Sequence, residues 1–135
     1  MTSEREIARH VEERAGGRCE YCRMHQGLQG ATFHLEHVVP KSRGGTFDTT
    51  NLAWACPGCN LRKSDRTEAV DPQTREKVAL FNPRADAWSQ HFRFRGYEIV
   101  ALTGVGRATA AALDFNALHR TMIRRAEEMF DLFPP

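Results

Sequence analysis

The sequence predicts an α+β protein, and three features carry that expectation. Apolar residues recur at helical spacing near both ends: Ile7, Val11 and Ala15 at the start, and Leu118, Met122, Ala126, Met129 and Phe133 at the finish. Short runs rich in β-branched and aromatic residues lie between them. Two Cys-x-x-Cys pairs, Cys19/Cys22 and Cys56/Cys59, bracket the first of those runs. At 135 residues the chain is expected to form one domain spanning 1–135.

The elements follow in order. Ser3 and Glu6 have the spacing of a capping box, in which each side chain satisfies a free amide of the other, so the first helix starts there and stops at Gly16-Gly17. Cys19 and Cys22 come next, then a loop over 23–31. The stretch from Thr32 reads as a short strand, and Leu52–Ala55 as a second. Lys41-Ser-Arg-Gly-Gly45 is a glycine-rich loop between them. Pro57 suits a first helical turn, so a helix opens across Cys59 and Asn60. Beyond Asp65 the expected elements are a strand over 76–81, a hairpin of 91–95 with 97–102, a helix over 104–113 capped by Thr103, and a final helix running to Phe133.

Composition narrows the function classes. Hydrophobic residues make up 41% and charged residues 27%, values of a soluble folded chain. No apolar run is long enough to span a membrane, and the first residues lack a signal-type segment, so a cytoplasmic location is expected. Four cysteines in that compartment read as metal ligands, because thiols there stay reduced. Net charge is only +2, but Lys41 and Arg43 follow the central stretch, and Arg62, Lys63 and Arg66 follow the last cysteine.

A two-residue gap lets both thiolates of a tight knuckle reach one ion, and four thiolates favour tetrahedral zinc. The pairs stand 33 residues apart, farther than in the usual two-pair pattern, so the metal joins remote segments. Within that span lies His34-Leu-Glu36-His37-Val-Val-Pro40. Residues 36 and 37 fall on opposite faces of a strand, so they can cooperate only if the strand ends or twists there. Histidine can accept a proton near neutral pH. A carboxylate with an amide oxygen suits a hard divalent cation such as Mg²⁺ or Mn²⁺ and leaves water positions open. Glu36 and Asn60 fit that pairing, His37 fits the base, His34 is a further candidate metal ligand, and Asn51 can brace the loop beside His37.

Cys19-x-x-Cys22, His34-Leu-Glu36-His37-Val-Val-Pro40, Ser42-Arg-Gly44-Gly45, Asn51-Leu52 and Cys56-x-x-Cys59-Asn60-x-x-Lys63 together resemble the HNH endonuclease family, in its four-cysteine zinc subgroup. The resemblance covers about residues 19–63. It implies a ββα-metal fold for a nuclease core over 19–66, with 67–135 as a C-terminal extension of a hairpin and two helices. It further implies His37 as general base, Glu36 and Asn60 as ligands of a catalytic divalent ion, Asn51 as loop brace, and cleavage leaving 5′-phosphate and 3′-hydroxyl ends. The chain departs from the family name twice, with Glu36 for the commoner aspartate and Asn60 for the final histidine. On this reading the partner is DNA, in duplex form, with Lys41, Arg43, Arg62 and Lys63 on its phosphates. One site cuts one strand, so a double-strand break requires a dimer or two events.

Two other readings compete with it. A zinc-stabilised nucleic-acid-binding module without catalysis shares the cysteines and basic residues but has no use for Glu36, His37 and Asn60 together. A protein-interaction domain would instead use the C-terminal helices. Gly104-Val-Gly106-Arg-Ala-Thr109 half-matches a dinucleotide fingerprint, but Thr109 replaces the third glycine and no βαβ unit surrounds it.

Overall fold

Ser3 opens the molecule as the sequence suggests. In a computed structural model, described for residues 2–135, its hydroxyl accepts the Glu6 amide while Glu6 accepts the Ser3 amide, a reciprocal cap that contributes about 1 kcal/mol. Helix α1 (Glu4–Arg14) buries Val11, and Arg14 reaches out of its last turn to the carbonyls of Thr49 and Leu52 at 2.9 and 2.7 Å. The chain then folds back on itself at an Arg18–His25 bridge, with the Cys19 amide donating to the Met24 carbonyl. This tight return is the first cysteine knuckle.

Strand β1 (His34–His37) pairs antiparallel with β2 (Leu52–Ala55), matching His34 to Ala55 and His37 to Leu52. All four β2 residues are buried, which is why that strand shows no polar alternation in the sequence. The connection runs through two single turns of 3-10 helix, Lys41–Arg43 and Thr49–Asn51. Gly45 is obligatory there, since a Cβ would lie 1.7 Å from the Val39 carbonyl oxygen. Helix α2 (Pro57–Lys63) follows β2 directly, with Cys56 as its N-cap.

The remainder packs around this hairpin and helix. Strand β3 (Glu68–Val70) pairs with β4 (Lys77–Ala79), so the expected strand over 76–81 is shorter and has a partner that the sequence reading left as loop. A short helix α3 (Trp88–His91) leads into β5 (Phe92–Arg95), which pairs with β6 (Glu98–Ala101). Helices α4 (Gly104–Ala112) and α5 (Leu118–Glu128) complete the chain, the last one ending five residues before the expected Phe133. Gly106 sits in α4 because a Cβ there would meet the His91 carbonyl at 2.4 Å, so the glycine serves close packing rather than a nucleotide. Mixed helices and small antiparallel sheets make the protein α+β.

One core runs through the whole: Val11, the four cysteines, Tyr21, Phe33, Leu52 and Trp54 join Phe81, Phe92, Leu113 and Phe115. Phe92 stacks on Trp88, Phe81 and Phe115 with ring centroids 5.0, 5.5 and 5.4 Å away. Polar links cross the same boundary. Glu20, inside the first knuckle, accepts the Trp54 amide through one oxygen and pairs with Arg84 through the other. Among the described residues no helix is long and apolar enough to cross a membrane.

Candidate functional site

The cysteine pairs converge. Cys19 and Cys22 sit on the first knuckle, and Cys56 and Cys59 lie at the end of β2 and in the first turn of α2. All four are buried, and their sulfurs lie within 4.8 Å of one another. A tetrahedral zinc with Zn–S bonds near 2.3 Å needs sulfurs about 3.8 Å apart; Cys22 and Cys56 are 3.7 Å apart. The Cys22 and Cys59 amides point at the sulfurs of Cys19 and Cys56, 3.5 and 3.4 Å away, as a knuckle of this spacing requires. Burial pushes the Cys22 and Cys59 thiols up, while hydrogen bonds from the other thiols hold Cys56 down. A pocket this dry keeps several thiolates together only around a cation. The cluster fits a zinc site.

A second group of side chains meets next to the cluster, beginning at Asn60 of α2. Strand β1 ends at His37, so the geometric condition for residues 36 and 37 to share a space is met. Glu36 and His37 from β1 and Asn60 from α2 line one cleft of about 350 Å³, together with Lys41, Ser42 and Asp65. The His37 ring is half-buried beside Phe47, with centroids 5.7 Å apart. Asn51 fixes the loop that follows: its Oδ1 accepts the Val39 amide at 2.9 Å, and its Nδ2 donates to the Val39 and Thr46 carbonyls at 3.0 Å.

Glu36 is the most constrained member. Only 4% of it is exposed, Lys63 Nζ stands 2.6 Å from its Oε1, and the Tyr21 hydroxyl donates to its Oε2 at 2.6 Å. Nζ also donates to the carbonyls of His37 and Val38, 3.2 and 2.9 Å away, so its three protons serve Glu36 and two backbone oxygens. Burial pushes the Glu36 carboxyl up, against the pull of Lys63 and Tyr21 in the other direction. The Tyr21 hydroxyl is raised well above its ordinary value by burial and by the Glu36 charge.

The expected phosphate contacts divide. Lys41 and Arg43 are exposed, with Arg43 Nε donating to the Asp65 carbonyl at 3.0 Å. Arg62 is exposed and pairs loosely with Asp114 at 3.4 Å. Lys63 corrects the sequence reading: it is 1% exposed and its ammonium is consumed by Glu36 and two carbonyls, so it cannot reach a phosphate. His34 is exposed on β1 and lies outside the cleft lining. Two residues, one behind Glu36 and one in the cleft lining, escaped the sequence reading. Tyr21 sits between the first two cysteines, where spacing says nothing of its reach to Glu36, and Asp65 adds an exposed carboxylate just past α2.

Both centres fall within a single stretch of chain, and residues 19–66 match the model of the HNH endonuclease family. This segment is an HNH domain. Its four cysteines fit the zinc-bearing subgroup. No curated protein and no solved structure matches the chain.

The HNH domain can be tested against the divalent cation that such domains imply. Among the described residues the cysteines are the only group of three or more His, Cys, Asp or Glu close enough to share an ion. The cleft therefore offers few protein ligands, which suits a cation that keeps most of its waters, as Mg²⁺ does. The Glu36 carboxylate is a hard oxygen donor of the right kind, its Oε1 shared with Lys63 Nζ at 2.6 Å, and the Asn60 amide oxygen is another. The donor chemistry fits.

Proposed function

We propose that the protein is a metal-dependent HNH endonuclease that hydrolyses phosphodiester bonds of DNA. The observation that carries the reading is the cleft itself, in which an imidazole, a buried carboxylate and an amide from two elements of the HNH domain face one space of about 350 Å³. His37 takes the proton of the attacking water on a ring nitrogen, its backbone held by Lys63 at the His37 carbonyl and by Asn51 at Val39, two residues later. Glu36 and Asn60 would hold the divalent cation, which supplies positive charge for the phosphate and the departing 3′ oxygen. Lys41, Arg43 and Arg62, exposed around the cleft and along α2, position the phosphate backbone without reading its sequence. Zinc on the four thiolates fixes Cys59 and therefore the placement of Asn60, the next residue.

Supercoiled plasmid incubated with the protein in Mg²⁺ or Mn²⁺ is expected to convert to nicked circles, and EDTA to stop the conversion. A second reading has one observation behind it. Both Glu36 oxygens already contact protein donors, as they would in a zinc-stabilised nucleic-acid-binding module where the carboxylate is only structural. Plasmid that is retarded on a gel but never nicked under any of these cations would favour that module.

A further inference from the structure

Helix α5 carries two buried cations: Arg124, which feels the charge of buried Glu127 one turn along, and Arg120, which has no carboxylate beside it. Arg120 and Arg124 are each 1% exposed, and among the described residues neither stands within ion-pair distance of an acidic group. Burying a guanidinium is costly unless a counter-charge lies close by. Arg124 spends its donors on the carbonyls of Tyr97 and Phe115, at 2.9 and 2.7 Å. Arg120 instead points Nη1 at the Cys59 sulfur, 3.3 Å away, and its Nη2 is buried with no acceptor. The partner segment leaves room for it: a Cβ on Gly58 would lie 2.4 Å from Nη2, so the glycine lets the guanidinium sit in this place against the second knuckle. Further along α5, Glu127 accepts the His25 amide at 2.6 Å, and just past the helix the Leu132 carbonyl accepts from Arg18, which ties this end of the chain to the first knuckle.

A zinc dication with four thiolates is a dianion, and two guanidiniums balance it. We infer that Arg120 belongs to the zinc centre as a positioning residue: it donates to the metal-bound Cys59 thiolate and, with Arg124 behind it, supplies the counter-charge of the zinc tetrathiolate. The inference rests on the zinc reading of the four cysteines. It gives the segment after residue 66 a task, since the final helix closes the metal centre from outside the HNH domain and holds the knuckle from which Asn60 enters the cleft.

The test uses the full chain and three variants, Arg120→Met, Arg120→Lys and Arg124→Met. Zinc affinity is measured by competition with a chromophoric chelator, and the thiolate-to-metal charge-transfer band is recorded after substitution with Co²⁺. Loss of a group that hydrogen-bonds a ligand weakens metal binding ~10–100-fold, so Arg120→Met is expected to fall in that range. Arg124→Met loses less, because its donors go to carbonyls, and Arg120→Lys recovers part of the loss. A hydrogen bond stabilises the sulfur lone pair, so the Co²⁺ band of Arg120→Met shifts to lower energy. Affinity within twofold of the wild type overturns the inference, and so does weaker binding with an unmoved band, which marks mere packing. If Arg120→Met does not fold, the same band shift is read on Arg120→Lys, and its absence there also overturns the inference. A wild-type chain that takes up no zinc and no cobalt defeats the zinc reading itself, an outcome distinct from normal uptake with an indifferent Arg120.

Discussion

Cys59 and Asn60 are neighbours on α2, yet one is sealed among four sulfurs and the other borders an open cleft. The cysteine cluster is fully buried, its sulfurs met by the knuckle amides and by Arg120. The cleft holds an exposed Lys41, a half-buried His37 and one carboxylate clamped between Lys63 and Tyr21. A structural centre gains from exclusion of water, because its donors must never leave. The hydrolysis proposed for the cleft would need water and room for a phosphate, which fits a lining that is open except at the clamped Glu36. One helix of seven residues carries residues of both, Cys59 in the sulfur cluster and Asn60 in the cleft lining, with Lys63 reaching from its last turn to Glu36.

The contrast breaks most dramatically at the closed centre. Cys59→Ser, or stripping the metal with a strong chelator, is expected to collapse the cooperative unfolding transition of the whole chain, since the cysteines join one core with Phe81, Phe92 and Leu113. Circular dichroism melts check this; retention of a sharp transition would separate the zinc centre from the fold. Lys63→Met is next. Removing one partner of a buried ion pair costs about 3–5 kcal/mol, and the double variant Lys63→Met with Glu36→Gln should recover much of that in urea unfolding. The sign with pH follows from burial holding Glu36 up: its contribution is fully present below about pH 4.3 and is lost as pH rises through its folded value. The double variant lacks that dependence.

Asp71 gives a smaller effect of opposite sign. It accepts both Arg107 Nε and Nη2, at 3.0 and 2.8 Å, and the guanidinium holds its carboxyl below the usual range. Its stabilisation is present above roughly pH 3.9 and lost as pH falls, so Asp71→Asn should flatten the decline of Tm in acid while leaving melts at pH 7 changed only by the lost contact. The mildest changes are Arg43→Ala and Arg62→Ala. Each is exposed, so stability should move by no more than about 1 kcal/mol, while each lost phosphate contact lowers the slope of log affinity against log salt by about 1.

The sequence was most informative where the chemistry is local. Two-residue cysteine gaps, the Ser3–Glu6 cap and the amphipathic terminal helices all state their own geometry, and the α+β class, the cysteine cluster and the HNH segment followed from them. The β3 strand was invisible because three residues with half-exposed faces carry no period. Lys63 was misread for a deeper reason. A lysine beside Arg62 and past a glycine-rich loop looks like a phosphate ligand, and only the fold shows that α2 turns it inward beneath Glu36. Arg120 was silent for the same cause, since its sulfur partner lies 61 residues away.

The most direct measurement compares nicking of supercoiled plasmid by the wild type and by His37→Ala, both zinc-loaded and both shown to bind DNA equally. Loss of a general base costs roughly 10²–10⁴-fold in rate, and the account predicts a fall of that size with zinc content and melting temperature unchanged. Nicking by His37→Ala at the wild-type rate would contradict it.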